Sequence, residues 1–155
     1  MTMLRRGLIS AAAGMLLLPL AGAGAAERAT VEEAKALSDK AAEHLAKVGL
    51  DKAIADFNDP AAGFIDRELF VNIIGPDHKL LSAWGVPVLV GRDTSTFKDA
   101  DGKEFDNDIV ALAMTKGSGW VDYRMTNPLT KKVERKSSWV RRVGDYVVFV
   151  GAYRS

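Results

Sequence analysis

Between Thr30 and Val48 the apolar residues Val31, Ala34, Leu37, Ala41, Leu45 and Val48 recur at steps of three and four. Glu32, Glu33, Lys35, Asp39, Lys40, Glu43 and Lys47 fall mostly outside that stripe, a pattern that predicts an amphipathic helix. Thr30 followed three places later by Glu33 makes a capping box at its start, and Gly49 supplies a left-handed stop at its end. A shorter helix follows, with Leu50, Ala53, Ile54 and Phe57 on one face and Asn58-Asp59-Pro60 closing it.

The period then changes. Leu69-Phe70-Val71-Asn72-Ile73-Ile74 is β-branched and aromatic and reads as one strand. Gly75 to Lys79 turns it into a second strand, Leu80 to Trp84, as an antiparallel hairpin. Val86 to Asp106, with Pro87, Gly91 and Asp99-Ala100-Asp101-Gly102, reads as an irregular connection holding one short helical turn. Phe105, Ile109, Leu112 and Ala113 space as a helix of about three turns, ended by Gly117 and Gly119. Trp120 to Met125, Val133 to Val143 and Tyr146 to Tyr153 are three β-rich stretches joined by tight turns, so they pair antiparallel. The last is apolar on both faces, which calls for cover on both sides and a central place in its sheet. The order predicts an α+β fold, one antiparallel sheet of about five strands with the long helix on one face.

The 155 residues, 48% hydrophobic and 26% charged, suit one globular domain. A net charge of +1 gives no electrostatic footprint for nucleic acid, and the lack of cysteine excludes disulfides, thiolate metal sites and cysteine nucleophiles. Residues 1–26 divide the chain further. Arg5-Arg6, an acid-free apolar run from Leu8 to Leu20 and the small residues Ala21 to Ala26 have the three parts of a secretory signal, too short to span a bilayer as a helix. Cleavage would leave 27–155 as a single exported domain, periplasmic or secreted. The arginine pair also fits a twin-arginine signal, so the route is general secretion or twin-arginine.

Familiar catalytic motifs are absent: there is no Gly-x-Ser-x-Gly, His-Glu-x-x-His or P-loop. His44 reads as a helix-flank histidine and His78 as a turn histidine. Asp99-Ala100-Asp101-Gly102 with Asp108 is similar to a calcium loop. Phe97 stands at the first ligand position, however, so these acids read as turn and cap residues, and no metal or cofactor is expected. A hydrolase or isomerase built on Asp122, Asp101 or His78 is the remaining catalytic reading, and nothing in the sequence visibly converges those groups.

The hairpin from Trp120 to Val140 is more informative. Centring its turn on Leu129 pairs Asp122 with Lys136 and Arg124 with Glu134, a register favoured by charge complementarity. Alternation then puts Trp120, Asp122, Arg124, Glu134, Lys136 and Ser138 on one face, and Val121, Tyr123, Met125, Val133 and Trp139 on the other. That polar face is either solvated, with ordinary ion pairs, or a pocket in which Lys136 meets an anion beside an aromatic wall.

Here the chain resembles the single Cache domain family, ligand-sensing modules of bacterial receptors that also occur as free exported proteins. The resemblance is carried by Lys98-Asp99-Ala100-Asp101-Gly102-Lys103, Gly119-Trp120-Val121-Asp122-Tyr123, Asn127-Pro128, Lys136-Ser137-Ser138-Trp139-Val140, Val143-Gly144-Asp145 and Gly151-Ala152-Tyr153. It implies a PAS-like fold, a long N-terminal helix on a five-stranded antiparallel sheet, and a small-molecule sensor, often for short carboxylates. The pocket would lie on the face away from the helix, with Lys136 as anion contact, Ser138 and Trp120 beside it and Tyr123 a further candidate. Trp84 stands where similar sequences often carry a histidine, and Trp139 where a tyrosine is usual. With no span after the signal, such a module would dock to a membrane receptor or kinase to pass on its signal. The alternative is an exported interaction module without a small ligand.

Overall fold

The computed structural model describes residues 27–154, so the export-signal reading of 1–26 lies outside the described residues. Helix α1 spans Val31–Val48 and opens with the expected reciprocal cap: the Glu33 N–H donates to Thr30 Oγ1 and the Thr30 N–H to the Glu33 carboxylate. Gly49, at φ 84°, ends α1 and leads into α2, Leu50–Phe57. The buried stripe of α1 is made of small residues, Ala34, Ser38, Ala41 and Ala42, which lets the helix lie close on the sheet. Among the described residues no helix is long and apolar enough to cross a membrane.

The stretch expected as one strand is two. Ile65–Asp66 (β1) pairs with Leu69–Phe70 (β2) as a separate small hairpin around Arg67, whose φ is 54°. After the buried Val71 the chain enters the main sheet as β3, Asn72–Ile74, which pairs with β4, Leu80–Ala83. A single turn of 3-10 helix, Pro87–Leu89, interrupts the connection to α3, Phe105–Lys116, and Gly117 caps α3 in the left-handed region. The chain closes with β5 (Ser118–Thr126), β6 (Val133–Val143) and β7 (Tyr146–Tyr153).

The five-stranded sheet is antiparallel throughout, in the order β4-β3-β7-β6-β5. The doubly apolar β7 therefore holds the centre, and each of its faces has a core of its own. Val148, Val150 and Ala152 pack against α1, α2 and Phe64, while Val147 and Phe149 pack with Val121, Val140 and α3. The fold is an N-terminal helix on a five-stranded antiparallel sheet, as the alternating order of elements predicts.

One register is corrected. Trp120 pairs with Trp139, Asp122 with Ser137 and Tyr123 with Lys136, one residue away from the charge-matched alignment of Asp122 with Lys136 and Arg124 with Glu134. The turn is six residues, Asn127 to Lys132, with Lys131 at φ 59° and the Asn127 N–H bonded to the Lys132 carbonyl at 2.8 Å. An even loop cannot centre on one residue. A one-residue slip exchanges which partners share a face: Trp120, Asp122 and Arg124 lie with Trp139, Ser137 and Arg135 on the α1 side, and Val121, Tyr123 and Met125 lie with Ser138, Lys136 and Glu134 on the other. Burying Val121, Tyr123 and Val140 outweighs cross-strand ion pairs that are worth only about 0.2–1 kcal/mol each.

Candidate functional site

On the sheet face away from α1 lies a cavity of about 630 Å³. Its floor is the cross-strand trio Tyr123, Lys136 and Tyr153 together with Phe149 and Asn72. Its walls are Phe70 and Glu68 from the small hairpin and Phe105 and Asp106 from the start of α3, and Trp84 and Leu129 stand at its rim. The exposed surface of the lining is mostly apolar, although the charged residues Glu27, Arg28, Arg67, Glu68, Asp106 and Lys136 also reach it. Residues of β2 to β7, of the 3-10 turn and of α3 converge here, and on the cavity side of β7 the glycine Gly151 lies between Phe149 and Tyr153.

Gly151 makes room for its neighbours. A Cβ there would come within 2.4 Å of Ser138 Oγ and 2.8 Å of Lys136 Cε, so the Lys136 stem and the Ser138 hydroxyl occupy the space a side chain would take. Across this gap the Lys136 ammonium rests 4.7 Å from the centroid of Tyr153 and 5.7 Å from that of Phe70, in cation–π geometry. It makes no hydrogen bond or ion pair with any described residue. What remains accessible of its side chain opens into the cavity, and burial lowers its pKa to about 8, with the Glu68 carboxylate acting the other way. Glu68 accepts the Ala29 N–H at 3.0 Å, which ties the segment before α1 to the cavity wall.

Tyr123 stacks on Phe105 with ring centroids 4.4 Å apart, and its hydroxyl shares a 2.8 Å hydrogen bond with Ser138 Oγ. Both partners are buried, and burial pushes the phenol well above its ordinary range, so this pair is a neutral, fixed donor–acceptor unit beside Lys136.

The corrected register gathers most of the residues singled out from the sequence. Lys136 and Tyr123 face the cavity side by side, Ser138 sits behind them, and Trp84, 41% exposed, stands at the mouth. Trp120 is elsewhere: it lies on the opposite face, tilted against Trp139 at 5.1 Å and 38% exposed. Both the slipped register and the family resemblance put it beside Lys136, and the observed register sends it to the other face. Trp139 is held on the α1 side, its Nε1 donating to Asp39 at 2.8 Å.

Asp106 was not foreseen. Its carboxyl, only 4% exposed, lines the cavity with Oδ1 lacking any partner, and burial raises its pKa to about 7 although the Thr94 hydroxyl nearby favours the charged form. In the sequence it reads as an ordinary acid in a first helical turn. Only the phase of α3, which points Phe105, Asp106 and Ile109 inward, separates it from the solvated Asp108.

The acids weighed for other chemistry have structural tasks. The Asp99 carboxylate accepts the backbone N–H groups of Asp101, Lys103 and Arg124, and Asp108 pairs with Lys103 at 3.2 Å. Asp101 and Asp122 share a small surface cleft, paired with Arg124 and Arg135, while His78 is in the turn before β4 at the opposite edge of the sheet. His44 Nε2 donates to the Asp56 carboxylate at 2.7 Å, joining α1 to α2.

The Cache domain family model matches residues 28–155. The chain belongs to the Cache domain family. No curated protein sequence matches it significantly. Among solved structures, this Cache domain is similar to the periplasmic sensor domain of a chemotaxis protein, with 23% identity, TM-score 0.62, 81% of this chain and 90% of that one covered. It is also similar to a methyl-accepting chemotaxis protein from Vibrio parahaemolyticus, with 17% identity, TM-score 0.63, and 79% and 87% covered. A third is a Cache chemosensory domain described for its carboxylic acid recognition, with 23% identity, TM-score 0.60, and 81% and 88% covered. At these identities the likeness is one of fold.

Proposed function

We propose that this Cache domain is an extracytoplasmic, non-catalytic sensory module that binds a small organic acid in the cavity on the far side of the sheet. Lys136 is the anion contact, the Tyr123–Ser138 pair orients the site beside it, and Trp84 covers the mouth. The observation that carries this reading is a lysine ammonium held among aromatic rings, with no carboxylate paired to it and open space in front. A half-buried ammonium among apolar rings has lost part of its hydration, and an anion that joins it offsets that cost. Similarity to a domain described for carboxylic acid recognition supports the same class of ligand. A sealed, dry sheet face would favour an interaction module without a ligand, and an open cavity of this volume favours the sensor. The bound module would then dock to a membrane receptor or kinase.

Thermal unfolding against a panel of organic acids tests the reading. A ligand at about 100 times its Kd adds about 2.7 kcal/mol, a shift of several degrees for a domain of this size. Lys136→Ala is expected to abolish the shift. No shift with any acid, or an equal shift in the variant, would overturn the proposal.

A further inference from the structure

The Lys136 ammonium accounts for one end of a ligand and for a small part of the space. A cavity of about 630 Å³ lies in the middle of the roughly 300–1,000 Å³ range of pockets that enclose drug-sized molecules. A two- or three-carbon acid seated on Lys136 would leave most of it to water, against walls that offer water little. Much of the wall is rings and branched chains, Phe70, Phe97, Phe105, Phe149, Leu80 and Leu89, with Arg28 and Arg67 reaching the same cavity. Trp84, Val86 and Leu129 carry the apolar lining out to the rim, where all three are exposed. Such a surface gains most by covering an apolar body.

A second polar point comes from a different element. Asp106 comes from α3, next to the Phe105 ring that stacks on Tyr123, whereas Lys136 is the cross-strand partner of Tyr123 on β6. The Asp106 Oδ1 is buried and unpartnered, and the residue is one of those that border the cavity. Leaving such an acceptor unmet costs on the order of a hydrogen bond, and a ligand with a donor at that place removes the cost.

Resting on the reading of the cavity as an organic-acid site, we propose that its ligand is an amphipathic acid with an aromatic or branched apolar body. The carboxylate lies on Lys136, and a hydroxyl or ammonium donor remote from it bonds to Asp106. The walls between these two points select for size and apolarity. The small acids to which a lone lysine would respond are the weak ligands of this site.

Calorimetric titration of the purified protein with acetate, phenylacetate, 4-hydroxyphenylacetate and 4-(aminomethyl)phenylacetate separates the parts. Phenylacetate is expected to bind at least tenfold tighter than acetate. The hydroxyl or the ammonium probe should gain a further several-fold over phenylacetate, and whichever gains more identifies the donor. Asp106→Ala should remove that further gain while phenylacetate still binds, and a thermal melt shows that the variant is folded. Acetate binding as tightly as phenylacetate would overturn the apolar-body inference while leaving the acid site standing. Equal affinities of phenylacetate and both donor probes, or an equal loss of all probes in Asp106→Ala, would overturn the role of Asp106. Failure of every acid to bind would overturn the organic-acid reading itself, and this inference with it.

Discussion

Lys136 keeps its charge in a place that works against it, and its behaviour with pH follows. Burial lowers its pKa to about 8, so the ammonium is largely intact at pH 7 and is lost as pH rises through 8. Anion affinity should be flat from pH 6 to 7 and fall towards tenfold per unit above pH 8. Titrations in buffers of different ionisation enthalpy should show proton uptake on binding near pH 8, because the anion raises the lysine pKa. Asp106 has the opposite sense. Its carboxyl titrates near 7 in the folded domain against about 3.8 when exposed, so the folded state holds an extra proton between those values and stability falls as pH rises from about 4 to above 7. Asp106→Asn removes the ionisation and keeps the shape. It should stabilise the domain at pH 8 by on the order of 1–3 kcal/mol and flatten the stability profile between pH 5 and 8, as read by denaturant melts at each pH.

At the level of elements, the turn from β5 to β6 decides what the sheet presents. Its six residues set the register that brings Tyr123 across from Lys136 and sends Trp120 to the other face. Across the next gap Gly151 gives Lys136 and Ser138 their room. Gly151→Ala should cost about 1–3 kcal/mol through overpacking and weaken acid binding, because the added methyl meets Ser138 Oγ and Lys136 Cε at under 3 Å. Thermal melts and acid titration of the variant check the two effects together. The helices, the final central strand and the cap at Thr30 were legible in the sequence because each is a local pattern with a period or a stop residue. The register was not: charge complementarity at exposed pairs is a weak force, and loop parity, which overruled it, has no strong residue signature at Asn127 to Lys132. The split at Val71 was hidden for a similar reason, since Leu69 to Ile74 is equally apolar on either side of it. Lys136 stands out in the hairpin and lines the cavity, whereas Tyr123 is named only through the family resemblance, against a register that puts it on the opposite face. Asp106 could not be named, because its role depends on the phase of α3 against a sheet that is distant in sequence.

On the scale of the whole molecule, β7 divides the domain into a half that holds it together and a half that holds a cavity. Phe57, fully buried against Phe64 beneath α1, belongs to the first half. Phe57→Ala should cost about 3–5 kcal/mol in denaturant unfolding and leave acid affinity of the folded protein unchanged within about twofold, so stability and binding can be altered separately. The two halves meet again at Glu68. Its carboxylate accepts the amide of Ala29, just ahead of the Thr30 cap, and the same charge bears on the Lys136 ammonium. An anion that settles on Lys136 thus competes for that ammonium with Glu68, the group that anchors the root of the long helix. Such linkage is reciprocal by thermodynamic necessity. Glu68→Gln, which keeps an acceptor for the Ala29 amide and removes the charge beside Lys136, is therefore expected to change acid affinity while leaving the start of the long helix in place, as read by acid titration and thermal melts.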